Sequence, residues 1–120
     1  MSAIGVPAST ATPADLAGQL TAWGPRVGAD RGDPQMSGRV FLEGDGLPDV
    51  GVWECTPGSW EVTDRPDTEI VHILAGRAVI SDAAGEEREV ATGDVLMLPR
   101  GWSGRWDVLE TVRKLYVIVR

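Results

Sequence analysis

The chain has little of what most catalytic and nucleic-acid-binding proteins rely on. It contains one histidine, one cysteine, one tyrosine and one phenylalanine, and its one lysine is Lys114. One cysteine, Cys55, excludes an intrachain disulfide and fits a reducing compartment, so a cytoplasmic location is expected. With His72 alone, a Ser–His–Asp set has nothing to orient it. No histidine is spaced to form a Cys–His pair, so Cys55 reads as a small buried hydrophobe. No apolar run approaches the length of a bilayer span. Met1 to Thr12 carries no basic residue and no apolar core, so no secretory signal is expected there. Eleven basic residues stand against eighteen acidic ones, a net charge of −7. Phosphate backbones and anionic membranes call for a basic stripe, and the longest basic run here is Arg113-Lys114, so neither nucleic acid nor membrane is an expected partner. The glycines are not arranged as a phosphate-cradling loop opening a helix.

What is present suits one ordinary domain of 120 residues, 42% apolar and 24% charged. Residues 1–37 read as an N-terminal arm. Within it, Thr12-Pro13-Ala14-Asp15 has the chemistry of a helix start. Leu16, Leu20 and Trp23 form one apolar stripe, which predicts a short helix over about 13–23, ended by Gly24-Pro25. Residues 38–120 change to short β-type runs. Strands are expected near 39–43, 50–55, 59–63, 69–75, 77–81, 87–90, 95–98, 104–108 and 113–119, with Gly- and Pro-containing turns between them. Such spacing predicts an all-β sandwich or barrel. Val95-Leu96-Met97-Leu98 and Leu115 to Val119 are apolar on both faces. A small barrel has one inside, so a second surface, such as a subunit interface, is expected to cover the outside, and a homodimer follows as the expected assembly.

Two segments carry a resemblance. Glu69-Ile70-Val71-His72-Ile73-Leu74-Ala75-Gly76 and Gly93-Asp94-Val95-Leu96-Met97-Leu98-Pro99-Arg100-Gly101 resemble the paired motifs of the cupin superfamily. Trp53 to Trp60, Gly101 to Trp106 and Val112 to Tyr116 are similar to small single-domain cupins grouped with (S)-ureidoglycine aminohydrolase and the ethanolamine-utilisation cupin. The resemblance runs from about Val50 to the C-terminus. It implies a single cupin barrel (a double-stranded β-helix, or jelly roll) preceded by the arm and its short helix.

Catalytic cupins hold a transition metal with histidines and a glutamate. The matching histidine positions here are Val62 and Asp64, or Thr63 and Arg65, together with Gly104. One histidine cannot supply an imidazole-based facial site, so no metal and no other cofactor is expected, though a divalent metal at Glu69 stays open. Glu69 matches the surviving ligand position and becomes the candidate general acid or base. The alternative is a strand-tethering ion pair with an Arg or Lys. His72, three residues on, belongs to the opposite face unless a bulge intervenes.

Trp53, Trp60, Trp102 and Trp106 are candidate ligand contacts, since indoles suit a cavity rim. Gly104 shares parity with Trp106 and leaves room for an organic ligand; the alternative is that indoles fill the space. Lys114 and Tyr116 share a face and could anchor a ligand. Arg105, with Arg100 at the same loop, could hold a carboxylate. The leading expectation is a cupin that binds a small organic ligand in its barrel. The alternatives are an enzyme of the ureidoglycine aminohydrolase type acting on a small polar substrate, and an accessory subunit of a larger complex.

Overall fold

The structure, a computed structural model, describes residues 6–120; the first five residues of the arm expected over 1–37 lie outside them. The helix is the first difference from expectation. α1 spans Pro13–Leu16, one turn, closed by a capping box. The Thr12 hydroxyl accepts from the Asp15 amide at 3.2 Å, and the Asp15 carboxylate accepts from the Thr12 amide at 2.8 Å. The chain leaves the helix at Ala17, so the Leu16–Leu20–Trp23 stripe never forms. Trp23 instead lies in β1, Thr21–Pro25. Its ring fills the space over Gly38, where any Cβ would overlap it. Packing of this ring across Gly38, with Trp23 still 42% exposed, replaces a helix too short to be stable alone.

Eight further strands follow: β2 (Ala29–Gly32), β3 (Gln35–Leu42), β4 (Asp49–Cys55), β5 (Gly58–Val62), β6 (Thr68–Asp82), β7 (Glu87–Ala91), β8 (Val95–Leu98) and β9 (Gly104–Val119). β1 and β2, within the expected arm, join the barrel by pairing with β3 and β5. All pairings are antiparallel. The sheet curls around one axis element, the β6–β9 ladder, which runs from Thr68↔Val119 to Asp82↔Gly104. Its first half is flanked by β8 and β4, its second by β7 and β5. The result is the expected cupin jelly roll.

Each of these two long strands was expected as two shorter ones. Gly76 reads as a turn in sequence, yet pairing continues on both sides of it, with Ala75↔Arg113 and Arg77↔Glu110. Gly76 is a bend within one strand. Its φ of +83° is left-handed, and a Cβ there would overlap the Thr111 carbonyl oxygen and lie 2.9 Å from that of Glu110. Only glycine lets the two strands cross this closely at the bend.

Strand parity sorts the side chains. Val71, Ile73, Ala78, Ile80, Leu96, Leu98, Trp106, Val108 and Val112 point into the barrel and form its core. Val52 points outward from β4 yet is fully buried. The arm is tied down on both sides of it. Arg39, its register partner, pairs with Asp15 at 3.5 Å, and Arg113 donates to the carbonyls of Leu16 and Gly18 at 2.9 and 2.8 Å. No helix among the described residues is long and apolar enough to cross a membrane.

Candidate functional site

Five of the candidate residues converge inside the barrel. Register sets Trp53 on β4 opposite Lys114 on β9, and Trp60 on β5 opposite Trp106 on β9. Trp60 and Trp106 stack at 6.0 Å between ring centres, and Trp53 meets both edge-on at 6.1 and 6.0 Å. Against this cluster lies the Lys114 ammonium, 4.3 Å from the Trp53 ring centre and 4.8 Å from that of Trp106. Both rings offer it their negative π-faces.

Glu69 completes the arrangement. Its Oε2 lies 2.8 Å from Lys114 Nζ and its Oε1 lies 3.1 Å from an Arg65 guanidinium nitrogen. Arg65 in turn binds the Asp67 carboxylate at 2.9 Å. Charges alternate inward from Asp67 through Arg65 and Glu69 to Lys114. Lys114 is 7% and Glu69 4% exposed. Arg65 escaped the sequence reading because it sits in a loop, where parity assigns no face; its spacing of four residues from Glu69 was the available signal.

Tyr116 also faces inward and packs against Gly51, where a Cβ would lie 2.5 Å from its hydroxyl oxygen. Burial raises its pKa above the ordinary phenol value, helped by the carboxylates of Asp49, Glu43 and Glu69. Burial likewise pushes the Cys55 thiol up to about 11, against the smaller opposing pull of Lys114 and Arg26. Such a thiol is neutral and inert at ordinary pH, as expected for a buried hydrophobe.

Two candidates are placed elsewhere. Arg105 is not in the barrel, because inward Trp106 turns its neighbour outward. It grips Asp30 of β2 with two nitrogens, at 2.8 and 2.6 Å, and Asp107 at 3.2 Å. These partners raise its pKa further and make it a clasp between strands. Trp102, in the loop before β9, donates from its indole nitrogen to Asp82 at 2.9 Å. Its ring occupies the space that Gly104 leaves, where a Cβ would overlap it. The room expected beside Trp106 is therefore filled by an indole.

The metal-ligand positions of catalytic cupins do not fit a metal here. Gly104 has no side chain and is covered by Trp102. His72 is exposed on the outer face, opposite Val95 and Leu115, as parity predicted. Among the described residues no three His, Cys, Asp or Glu side chains cluster in a way that could hold a metal ion. Among the described residues, concavities lie outside the barrel: one of about 860 Å³ bounded by the 43–49 loop and Arg120, one of about 370 Å³ at the ends of β5, β6 and β9, and one of about 370 Å³ between the arm at Pro13, Leu16 and Ala17 and the sheet at Leu74, Ala75 and Arg113. None of the three is lined by Glu69 or Lys114.

The chain is similar to several known proteins. Residues 42–116 match the EutQ-like cupin domain. A DUF861-family protein of unknown function from Pseudomonas syringae pv. tomato superposes with a TM-score of 0.79 at 26% identity, over 88% of this chain and 46% of that one. The chain thus spans less than half the length of that relative. A DUF861-family protein of Thermotoga maritima gives 0.54 at 29% identity over 57% of this chain and 76% of that one. The Clostridium difficile EutQ protein gives 0.62 at 19% identity over 74% and 75%, a likeness of fold alone. No curated protein matches the chain. With that domain covering well over half its length, the chain belongs to the EutQ-like cupin family.

Proposed function

We propose that this cupin binds a small organic molecule bearing a carboxylate or amide oxygen at the inner end of its charge chain, and does so without a metal. The observation that carries the reading is the buried Lys114–Glu69 pair set against Trp53 and Trp106. Buried ion pairs do little for stability, and apolar replacements are often neutral or better. A barrel whose other interior positions are mostly apolar has no structural need of an ammonium at its centre. Lys114 spends one donor on Glu69 and presents the rest of its charge to ring faces, which attract it without accepting a full hydrogen bond. An oxygen acceptor on a ligand would complete that coordination, with the indoles supplying apolar walls. The filled interior requires a side chain, Trp102 at the Gly104 end, to move aside on entry.

An acid–base role for Glu69 has less support, since both of its oxygens already face cations. Native mass spectrometry of freshly purified protein, with elemental analysis, tests the binding reading. It is followed by tryptophan-fluorescence titration with small carboxylates and amides. A retained or titrated ligand that Lys114→Met abolishes, in a variant of unchanged fold, supports the proposal. A bound stoichiometric transition metal overturns its metal-free part. A ligand bound equally by Lys114→Met, or no retained ligand and no response to the panel, overturns the site.

A further inference from the structure

Two loops close the barrel at its Gly104 end, 63–67 between β5 and β6 and 99–103 between β8 and β9. They are tied to each other at three points. The Arg65 amide donates to the Trp102 carbonyl at 2.9 Å, the Gly101 amide to the Arg65 carbonyl at 2.8 Å, and the Asp64 amide to the Ser103 hydroxyl at 2.8 Å. Each loop also sends one side chain inward. Trp102 packs against the core and donates to Asp82 at 2.9 Å, while Arg65 meets Glu69 at 3.1 Å. At the roots, the Ala83 amide donates to the Ser103 carbonyl at 3.0 Å and the Arg100 amide to the Thr68 hydroxyl at 3.1 Å. No residue of either loop is fully buried. Asp64, with a φ of +46°, is the one non-glycine residue in the left-handed region among the described residues.

We infer that the two loops form a single flap, and that its opening is the path by which a ligand reaches Lys114. Bond counting argues for one body. Either loop moving alone breaks all three ties between them; both moving together break only the two inward contacts, with the root bonds as hinges. Charge argues for the same division. Arg65 and Asp67 both belong to the flap and pair at 2.9 Å, while Glu69 and Lys114 belong to β6 and β9 and pair at 2.8 Å. Opening therefore splits the four-charge chain into two neutral pairs and strands no charge, the one outcome that a buried ionic group penalises heavily. The strained backbone of Asp64 is held by the closed form and gains freedom in the open one. Loops with little buried apolar area are also where local opening is cheapest. Lifting the flap draws Trp102 from the space over Gly104 and uncovers the Lys114–Glu69 pair in one movement.

The inference rests on the binding reading for what passes through, but the motion is measurable without a ligand. Native-state hydrogen exchange on the full chain, read by NMR, tests it. The Arg65 and Gly101 amides and the Trp102 indole N–H should share one level of protection, well below that of the β6–β9 ladder. Trp102→Phe keeps a ring but loses the bond to Asp82, and should speed exchange of the Arg65 amide, on the other loop, about tenfold or more. Arg65→Gln should speed the Trp102 indole N–H in turn. Lys114, the single lysine, reports access: its acetylation by acetic anhydride, read by peptide mass spectrometry, should quicken in Trp102→Phe by the same factor as the flap amides. Thermal melting verifies that both variants stay folded. Faster exchange on the substituted loop alone overturns the single flap, as does protection of the flap equal to that of the ladder. Flap amides that quicken while Lys114 acetylation does not overturn the entry path. Each of these results leaves the binding reading standing, whereas a coupled flap over a barrel that binds nothing overturns that reading alone.

Discussion

Removing Lys114 and removing Glu69 should have very different consequences, although each breaks the same 2.8 Å contact. In Lys114→Met, Glu69 keeps its second cation, Arg65, at 3.1 Å. What is lost is one ion pair and two ammonium–indole contacts, each worth about 0.5–2 kcal/mol. Against that, no ammonium need be stripped of water, a burial cost of several kcal/mol. The Met sulfur gains contacts of about 0.3–1.5 kcal/mol with the same rings. The net change should lie within about 1.5 kcal/mol of zero, of either sign. Glu69→Leu is the opposite case. Arg65 still has Asp67, but Lys114 is left buried with ring faces and no carboxylate. Leaving such a charge unpaired costs about 3–5 kcal/mol, a large share of a small domain's total stability of roughly 5–15 kcal/mol. The double variant should recover most of that loss. Urea unfolding followed by tryptophan fluorescence measures all three, since Trp53 and Trp106 adjoin the site. A loss above about 3 kcal/mol in Lys114→Met, or below about 1 kcal/mol in Glu69→Leu, would refute this division of labour between the two cations.

Two further expectations follow from the geometry. Gly76→Ala and Gly85→Ala both place a side chain at positive φ, +83° and +94°, but a Cβ at Gly85 meets nothing within 4 Å while one at Gly76 overlaps the β9 backbone. Gly85→Ala should cost about 1–2 kcal/mol and Gly76→Ala well over 3 kcal/mol by chemical denaturation; equal costs would show that the bend relaxes freely. Cys55, raised from 9.0 to about 11 by burial, favours the fold fully below about pH 9, and this contribution is lost as pH rises through 11. The loss amounts to roughly 2–3 kcal/mol. Cys55→Ala should flatten the alkaline fall in urea midpoint over that window; a fall of unchanged steepness would assign it to other groups.

Much of this architecture is legible in the residues themselves. Period-two alternation located the β-segments after residue 38 to within a few positions, because one side of each strand must meet a packed interior, but β1 and β2 in the expected arm were not anticipated. The same alternation put Lys114 with Tyr116, and His72 outside, before any coordinates. Three features were not legible. Gly76 carries a turn signature, but whether pairing resumes beyond it depends on the partner strand 35 residues away, Thr111. The stripe Leu16–Leu20–Trp23 is a sound helical pattern that lost to the vacancy above Gly38. Arg105 was expected to hold a carboxylate beside the Arg100 loop although the expected strand 104–108 already contained it; next to inward Trp106, the pleat of β9 turns it away. Parity reads well within strands and fails where an element's extent is set by tertiary contact.

The β6–β9 ladder also dictates an order of assembly. Its two ends close very different stretches of chain: Asp82 and Gly104 are 22 residues apart, Thr68 and Val119 are 51. Loop-closure entropy grows with the logarithm of length, so starting at the far end costs roughly 0.7 kcal/mol more before any contact repays it. Zipping from the Asp82–Gly104 end turns that penalty into small increments, each pair shortening the loop left for the next. The barrel should therefore form its β7-side half first, pass the bend at Gly76, and only then bring Lys114 against Glu69. The buried charges would meet last, when the walls that exclude water from them are already in place.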